Sequence, residues 1–201
     1  MMRKFLSVLI VLLAAFIQVQ AQSETAQQRA IAAIEKLGGK VEYDAATKAV
    51  IKVDLHSTKV SDVELKNLES LRELRWLDLR ITGITDEGVA HLKKLKRLTF
   101  LNLFRTNLSD KGLAELKNLS KLETLLIGGT KVTDDGLKYL EKFSKLRKVS
   151  LFRTAVSDAG LKHLERLPAL EVLLIGESQI TEEGAKSLQK VLPKLRFEEQ
   201  T

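Results

Sequence analysis

Cysteine is absent from this sequence of 201 residues, which excludes disulfides, thiolate metal ligands and a cysteine nucleophile. Histidine is scarce too, with three residues that lie far apart along the chain, and there is no Gly-rich phosphate loop. Without these groups the sequence offers no metal set, no nucleophile with its base and no nucleotide cradle. We therefore expect a protein with no catalytic residue, no cofactor and no metal, held together by packing alone.

Long hydrophobic runs are also missing, except at the N-terminus. An apolar run over residues 5–17 follows Arg3 and Lys4, and Val19-Gln20-Ala21 places small residues where a signal peptidase reads. The run is shorter than the roughly 18 apolar residues of a bilayer-spanning helix, which disfavours a membrane anchor. We predict a signal peptide over residues 1–21 and a secreted or periplasmic protein that is not inserted in a membrane after cleavage.

The charge excess is moderate. The formal net charge is +7, and loss of Arg3 and Lys4 with the signal peptide leaves +5. Such a charge favours acidic partners mildly. Nucleic acid is not an expected partner for an exported chain of this charge.

Leucine, by contrast, recurs at every twenty-fourth position through most of the chain. If the first aliphatic residue of each unit is position 1, positions 4 and 6 are aliphatic in every unit, which predicts a short strand with one buried face. Leu195 opens a truncated seventh unit after a one-residue insertion. The six complete units begin at Val50, Leu74, Leu98, Leu122, Leu146 and Leu170.

A helix is predicted after each strand. Position 9 carries a hydroxyl in each unit. Further along the unit, a Ser or Thr followed by an acid, such as Thr85-Asp86, is typical of a helix N-terminus. Leucine pairs such as Leu92 and Leu95 would form the inward face of the helix. Each helix from the second unit on has a Gly near its start, which we attribute to close approach of the neighbouring repeat. Capping explains the row of aspartates, so a calcium site is not expected.

The combined pattern L-x-x-L-x-L-x-x-T-x-I/V-T/S-D-x-G-L-x-x-L resembles the leucine-rich repeat, in particular the ribonuclease-inhibitor-like and cysteine-containing subtypes. The resemblance covers residues 50 to about 197 and extends to secreted bacterial leucine-rich repeat proteins. It implies an α/β fold, a right-handed solenoid with a parallel sheet on the concave side and helices on the convex side. Thr stands where many such families have Asn or Cys, which implies an internal hydroxyl ladder that bonds loop amides.

The chain thus divides into the signal peptide, an N-terminal cap over residues 22–49 and a repeat domain over residues 50–201. In the cap, apolar residues at helical spacing end at Gly38-Gly39, and Val41 and Tyr43 alternate in a strand. We expect this strand to pair with the strand at Val50 as a hairpin that covers the first repeat.

The outward positions 3, 5, 7 and 8 of the strands would line the concave face, the face of the sheet that points away from the helices. Exposed aromatic rings and arginines concentrate there, which is typical of binding surfaces. The candidate binding residues are Trp76, Arg80, Phe100, Phe104, Arg105, Gly128, Gly129, Phe152 and Arg153. We expect a protein or peptide ligand with apolar and acidic character; an anionic envelope glycan and a purely structural spacer are the alternatives.

The tetrapeptide Leu-Phe-Arg-Thr occurs at residues 103–106 and again at 151–154, two units apart. Adjacent strands lie about 4.8 Å apart, so Phe104 and Phe152 would stand roughly 10 Å apart with Gly128 between them. This geometry predicts a shallow slot, and duplication of a two-repeat unit explains the recurrence equally well. His91 and His163 share one repeat position and are expected to be exposed on the convex side.

Overall fold

The computed structural model describes residues 26–198. The predicted signal peptide lies outside these residues and stays a prediction. The described chain forms one sheet whose strands follow the chain order. The strands are β1 (Lys40–Tyr43), β2 (Val50–Asp54), β3 (Trp76–Asp78), β4 (Phe100–Asn102), β5 (Thr124–Leu126), β6 (Lys148–Ser150), β7 (Val172–Leu174) and β8 (Arg196–Glu198).

Helices alternate with the strands. They are α1 (residues 26–36), α2 (Asp62–Leu65), α3 (Asp86–Val89), α4 (Asp110–Glu115), α5 (Asp134–Leu137), α6 (Asp158–Leu161) and α7 (Glu182–Val191). Short 3₁₀ helices follow α2 to α6, at Lys66–Ser70, Ala90–Lys94, Leu116–Asn118, Leu140–Lys142 and Leu164–Arg166. No helix in residues 26–198 is long and apolar enough to cross a membrane.

The predicted hairpin is confirmed, because β1 pairs antiparallel with β2 and Val41 faces Val53. Helix α1 ends at Gly38, whose φ of 80° lies in the left-handed region that glycine adopts without strain. From β2 onwards all strands are parallel, and between β2 and β7 each residue pairs with the one at the same position of the next repeat, as Leu77 does with Leu101. Equivalent positions of successive repeats therefore stack side by side.

The convex side differs from the expected continuous helices, because most repeats have a single α-helical turn followed by 3₁₀ helix. Buried Leu92 lies in the 3₁₀ helix Ala90–Lys94 and buried Leu95 follows that helix directly. The backbone N–H of Leu95 donates to the carbonyl of Leu92 at 2.9 Å, the spacing of hydrogen bonds in a 3₁₀ helix. In the last repeat the spacing between Leu188 and Leu192 is four, and there the α-helix continues through α7. β8 pairs with β7 so that Val172, position 3 of the sixth repeat, faces Arg196, position 2 of the truncated repeat that Leu195 opens. The helix therefore does not absorb the one-residue insertion.

The aspartate at each helix start does more than the predicted capping. Asp86 accepts hydrogen bonds from both the backbone N–H and the hydroxyl of Ser109, which is the N-cap of the next repeat. The same two bonds recur between each repeat and the next. A Cβ at Gly112 would overlap Oδ1 of this same Asp86, so the predicted close approach of the neighbouring repeat is confirmed.

In the hydroxyl row at position 9, the predicted bonds from loop amides are present at Thr58, which accepts from Val60 at 3.4 Å, and at Ser178, which accepts from Ile180 at 3.3 Å. The bond shared by the whole row is a different one. Thr106 Oγ1 donates to the carbonyl of Leu103 at 2.8 Å, and the equivalent residues donate to the carbonyl three residues before them. A hydroxyl that is buried needs a partner, and the turn after the strand provides a carbonyl within its own repeat. The hydroxyls therefore fix the turns that carry positions 7 and 8.

Candidate binding surface on the sheet

Two pairs of aromatic rings stand on the concave face. Trp76 and Phe100 are direct partners of β3 and β4, and their rings stack at 4.8 Å with an interplanar angle of 8°. Lys52, one strand earlier, holds Nζ 4.6 Å from the Trp76 ring centroid and is ion-paired with Glu42 at 2.7 Å. The pair is half-buried, so it stabilises the sheet and still presents apolar surface.

Polar side chains at position 5 lie between the two ring pairs. Asp78 is 1% exposed and accepts from the backbone N–H of Arg80 at 2.9 Å and from Nδ2 of Asn102 at 3.3 Å. Burial raises the pKa of Asp78 even though the Arg80 guanidinium lies 3.5 Å away. In the preceding strand, burial raises the pKa of Asp54, but the hydrogen bonds from the ring and the backbone N–H of His56, with the nearby positive charges, together hold this pKa below its usual value.

Phe104 and Phe152 form the second pair, and here the predicted slot is wrong. Their ring centroids are 6.3 Å apart with an interplanar angle of 39°, so the rings lean together across Gly128. A Cβ at Gly128 would lie 3.1 Å from Cδ2 of Phe104 and 2.8 Å from the carbonyl oxygen of Phe152. The glycine leaves space that the rings fill, since apolar rings gain contact by closing a gap too small for a ligand.

The two arginines of this pair differ in their partners. Each guanidinium lies over the preceding phenylalanine, at 5.3 Å for Arg105 and 5.4 Å for Arg153. Arg153 is ion-paired with Glu177, whereas within residues 26–198 Arg105 has no ion pair. The stem of Arg105 crosses Gly129, where a Cβ would lie 2.9 Å from its Cγ. Arg105 is thus held in place and keeps its charge available.

Position 8 has left-handed backbone in every repeat. The φ angle is 56° at Ile81, 53° at Arg105, 54° at Arg153 and 66° at Gly129. Only glycine adopts this conformation without strain, and a β-branched residue such as isoleucine is disfavoured most. The repeat with Gly129 shows that the fold accepts glycine here.

Ile81 is a surface residue that sequence reasoning did not include among the candidates. Its side chain is 48% exposed, although it is apolar and sits on strained backbone. The signal in the sequence was an aliphatic residue at a position that is polar or glycine in the other repeats. We use the name concave site for the nine candidate residues together with Ile81.

The structure therefore brings the candidates together as two groups. Trp76 and Phe100 stack, and Arg80 lies beside them on Asp78; Phe104, Arg105, Gly128, Gly129, Phe152 and Arg153 form the second group through direct contacts. The rings were expected to be exposed and are half-buried, because each covers another.

The three histidines of the described chain, His56, His91 and His163, each contact one carboxylate. Within residues 26–198 no three His, Asp or Glu side chains are grouped as metal ligands. His91 and His163 are half-buried rather than exposed, because Nδ1 of each contacts a glutamate of the preceding repeat, Glu69 at 2.9 Å and Glu141 at 2.7 Å. These contacts join neighbouring repeats.

Comparison with known proteins agrees with this architecture. A family model described as Leucine Rich repeat matches residues 94–117, and no curated protein matches the chain. A solved internalin from Listeria monocytogenes is similar with a TM-score of 0.54 and 21% identity, over 77% of this chain and 51% of that chain. The chain spans about half the length of that internalin. The register of the sheet, the matched repeat and this likeness show that the chain folds as a leucine-rich repeat solenoid.

Proposed function

We propose that the protein is an exported, non-catalytic recognition module that binds a protein or peptide segment with apolar and acidic character at the concave site. The observation that carries the proposal is the backbone at position 8. At this position Ile81 and Arg105 have φ near 55°, which disfavours a side chain. Gly129 at the equivalent position of another repeat shows that the fold also accepts glycine there. A left-handed non-glycine residue costs about 1–2 kcal/mol, and such strain concentrates at functional sites.

The charges of the site favour an acidic group in the ligand. Arg80 is ion-paired with Asp78 and Arg153 with Glu177, so the positive charges of these two arginines are already neutralised in part. Arg105 has no carboxylate partner in the described chain and lies over Phe104 beside the second ring pair. A carboxylate of the ligand would meet an oriented guanidinium here, which forms two parallel hydrogen bonds with such a group.

The rings favour an apolar group next to that carboxylate. Full burial of an aromatic side chain contributes about 1.5–3 kcal/mol, and half-buried rings retain only part of this gain for a ligand. Two ring pairs separated by buried Asp78 and Asn102 would each accept one apolar side chain of an extended segment. Aromatic anchors with arginine are the residues that contribute most at protein interfaces.

Selection of peptides from a random display library tests this proposal. We expect selected peptides to contain an acidic residue near an aliphatic or aromatic one, and Arg105→Gly to weaken their binding by about tenfold or more at unchanged thermal stability. Lys131→Gly is the matched control, because this exposed lysine is also in the turn region of its repeat but away from the sheet. Equal binding by Arg105→Gly and the unchanged protein would overturn the proposal.

The double change of Phe104 and Phe152 to Ala separates binding from folding. Removal of two half-buried rings lowers stability as well, so affinity is measured at a temperature where the variant is fully folded. Loss of stability with unchanged affinity would favour the structural spacer. The glycan alternative predicts that sulfated or uronic glycans bind at the concave site and that peptides do not. A glycan array probed with the unchanged protein and with Arg105→Gly tests this, because Arg105→Gly should then lose the glycan signal.

A further inference from the structure

The positive charge of the protein is localised. Residues 93–148 contain fourteen Lys and Arg but six Asp and Glu, whereas the rest of the described chain contains seventeen and eighteen. The net charge of residues 26–198 therefore comes from this stretch, which runs from the end of repeat 2 to the start of repeat 5. An excess of one sign on one part of a surface attracts ligands of the opposite sign.

Many of these cations lie on one edge of the solenoid, where the convex helices end and the strands begin. We call the six exposed lysines of this edge the lysine strip. None of the six has an ion pair within residues 26–198, and Lys96 donates to the carbonyl of Asn118 at 3.5 Å. The lysine strip consists of Lys93, Lys96, Lys117, Lys121, Lys142 and Lys145.

Neighbouring repeats are close enough along this edge for their side chains to touch. Arg97 is ion-paired with Glu73 at the same position of the preceding repeat, and Arg147 pairs at 2.8 Å with Glu171 at the same position of the following one. At the two ends of the edge, opposite charges thus face each other. In the strip the equivalent neighbours are like charges, Lys121 and Lys145.

Like charges at neighbouring positions are destabilising, so folding alone does not favour this arrangement. Lys93 and Lys117 are a second pair of like charges at the same position of neighbouring repeats, on the helical side of the edge. A ligand with regularly spaced negative charges would relieve the repulsion, since each lysine would face an anion. The strip therefore fits an anionic polymer.

The surroundings of the strip favour a single chain over a bilayer. Exposed Glu115 precedes Lys117 in the sequence, and exposed Glu123 follows Lys121. A broad anionic surface would be repelled by these two glutamates, whereas a narrow anionic chain could contact the lysines alone. The large apolar residues that are exposed within residues 26–198 are Tyr43, Val63, Ile81 and Val191, none of them in the strip. A bilayer would find no apolar anchor here, and single-stranded nucleic acid would find no exposed ring to stack on.

The strip continues into a shallow cavity at its N-terminal end. The cavity, about 390 Å³ in volume, lies between the cap and the first two repeats. Four cations line it, with Glu69 as the one carboxylate among its lining residues: Arg29, Lys66, Arg72 and Lys94. Since Lys94 belongs to the same turn as Lys93, basic side chains extend from the cap to repeat 4.

We propose that the lysine strip binds a linear acidic polysaccharide, independently of the concave site. The carboxylates or sulfates of successive sugars would pair with lysines of successive repeats. Such binding weakens with ionic strength, because exposed ion pairs are screened by salt.

Binding to polygalacturonate, with neutral dextran as the blank, tests the proposal. The triple variant Lys117→Glu, Lys121→Glu and Lys145→Glu is compared with Lys59→Glu, Lys111→Glu and Lys131→Glu, which changes three exposed lysines outside the strip by the same net charge. We expect the first variant to lose about tenfold or more in affinity and the control to lose far less. Arg105→Gly should bind as the unchanged protein does.

Because Lys121 and Lys145 are both changed to Glu, this pair stays like-charged, so the melting temperature of both triple variants is measured. Binding is compared at a temperature where both are fully folded, and a loss of binding then reports on the surface. Equal loss in both triple variants would show unspecific attraction and overturn the proposal. Vesicles of phosphatidylglycerol and phosphatidylcholine in equal parts and a single-stranded DNA oligonucleotide are the competing ligands. Tighter binding of either one than of polygalacturonate would also overturn it.

Discussion

Asp110 occupies the space that a side chain on Gly136 of the next repeat would need. Its carboxylate also accepts the backbone N–H of Thr133 at 2.8 Å and the hydroxyl of Thr133 at 2.7 Å. Repeats 2 to 5 contain the sequence Asp-x-Gly. Its Asp contacts the glycine of the following repeat, and its Gly contacts the aspartate of the preceding repeat. Stacking of the repeats depends on this contact as well as on the leucines.

Replacement of Gly136 by Ala should therefore destabilise the protein, although Ala is the better helix former by about 1 kcal/mol. Overpacking against the Asp110 carboxylate lowers the free energy of unfolding by about 1–3 kcal/mol, which urea denaturation measures. Gly83→Ala is the control, because a Cβ there meets no atom within 4 Å. In an Asp110→Ala background the cost of Gly136→Ala should shrink; equal effects of the two glycine changes would contradict this contact.

Gly128 should tolerate a side chain less well than Gly176. A Cβ at residue 128 meets the carbonyl oxygen of Phe152 at 2.8 Å, whereas one at residue 176 meets the Phe152 ring at 3.2 Å. A ring can shift by a few tenths of an ångström, and a backbone carbonyl cannot shift so easily. We expect Gly128→Ala to lower the melting temperature by more than Gly176→Ala does, with a destabilisation of about 1–3 kcal/mol. Equal melting temperatures would mean that Phe104 and Phe152 do not close over Gly128.

The strain at position 8 can be measured at Ile81. Alanine retains the Cβ that disfavours a φ of 56°, so Ile81→Ala should be less stable than Ile81→Gly by about 1 kcal/mol. At Lys59, where φ is not in the left-handed region, the order should be reversed. Chemical denaturation of the four variants gives the comparison. If alanine were the more stable residue at both sites, the strain argument for the concave site would fail.

Stability should fall in mild acid through the glutamates that join neighbouring repeats. The hydrogen bonds from Lys94 and then His91 hold the pKa of Glu69 below its usual value, and His163 does the same for the pKa of Glu141. A lowered pKa means that the stabilisation is present above the ordinary pKa of a glutamate and is lost as the pH falls through the lowered one. The raised pKa of Asp78 acts in the opposite sense, since its ionisation on raising the pH costs stability.

The double change of Glu69 and Glu141 to Gln should therefore destabilise the protein near neutral pH, and the deficit should shrink on acidification. Melting temperatures between about pH 7 and about pH 3 check this expectation. Glu165→Gln, at an exposed position, is the control and should show no such convergence. A deficit that stays constant over this range would mean that the charge of the glutamates is not involved.

The leucine period predicted strands β2 to β7 and their register, because buried aliphatic residues must alternate on one face of a sheet. The alternation of Val41 and Tyr43 predicted the hairpin. The leucine period did not predict the 3₁₀ helices, because two leucines three apart, such as Leu92 and Leu95, fit either an α-helix or a 3₁₀ helix. The next leucine, Leu98, lies beyond the helix and does not decide between the two types.

The candidate site was predicted in its composition but not in its geometry. The strand positions fix the backbones of Phe104 and Phe152 about two strand spacings, or roughly 10 Å, apart. The side chains lean toward each other, so the ring centroids are only 6.3 Å apart. Left-handed backbone at Arg105 follows from the turn and leaves no clear trace in the sequence apart from Gly129.

Photocrosslinking tests most directly whether the concave site binds a peptide. A photoreactive phenylalanine derivative is placed at Phe152, or at half-buried Tyr139 of the convex side as the control, and a selected peptide is added. We expect the peptide to be crosslinked at residue 152 and not at residue 139. Excess unlabelled peptide present during irradiation should prevent the crosslink at residue 152. Crosslinking at residue 139 with none at residue 152 would contradict recognition at the concave site.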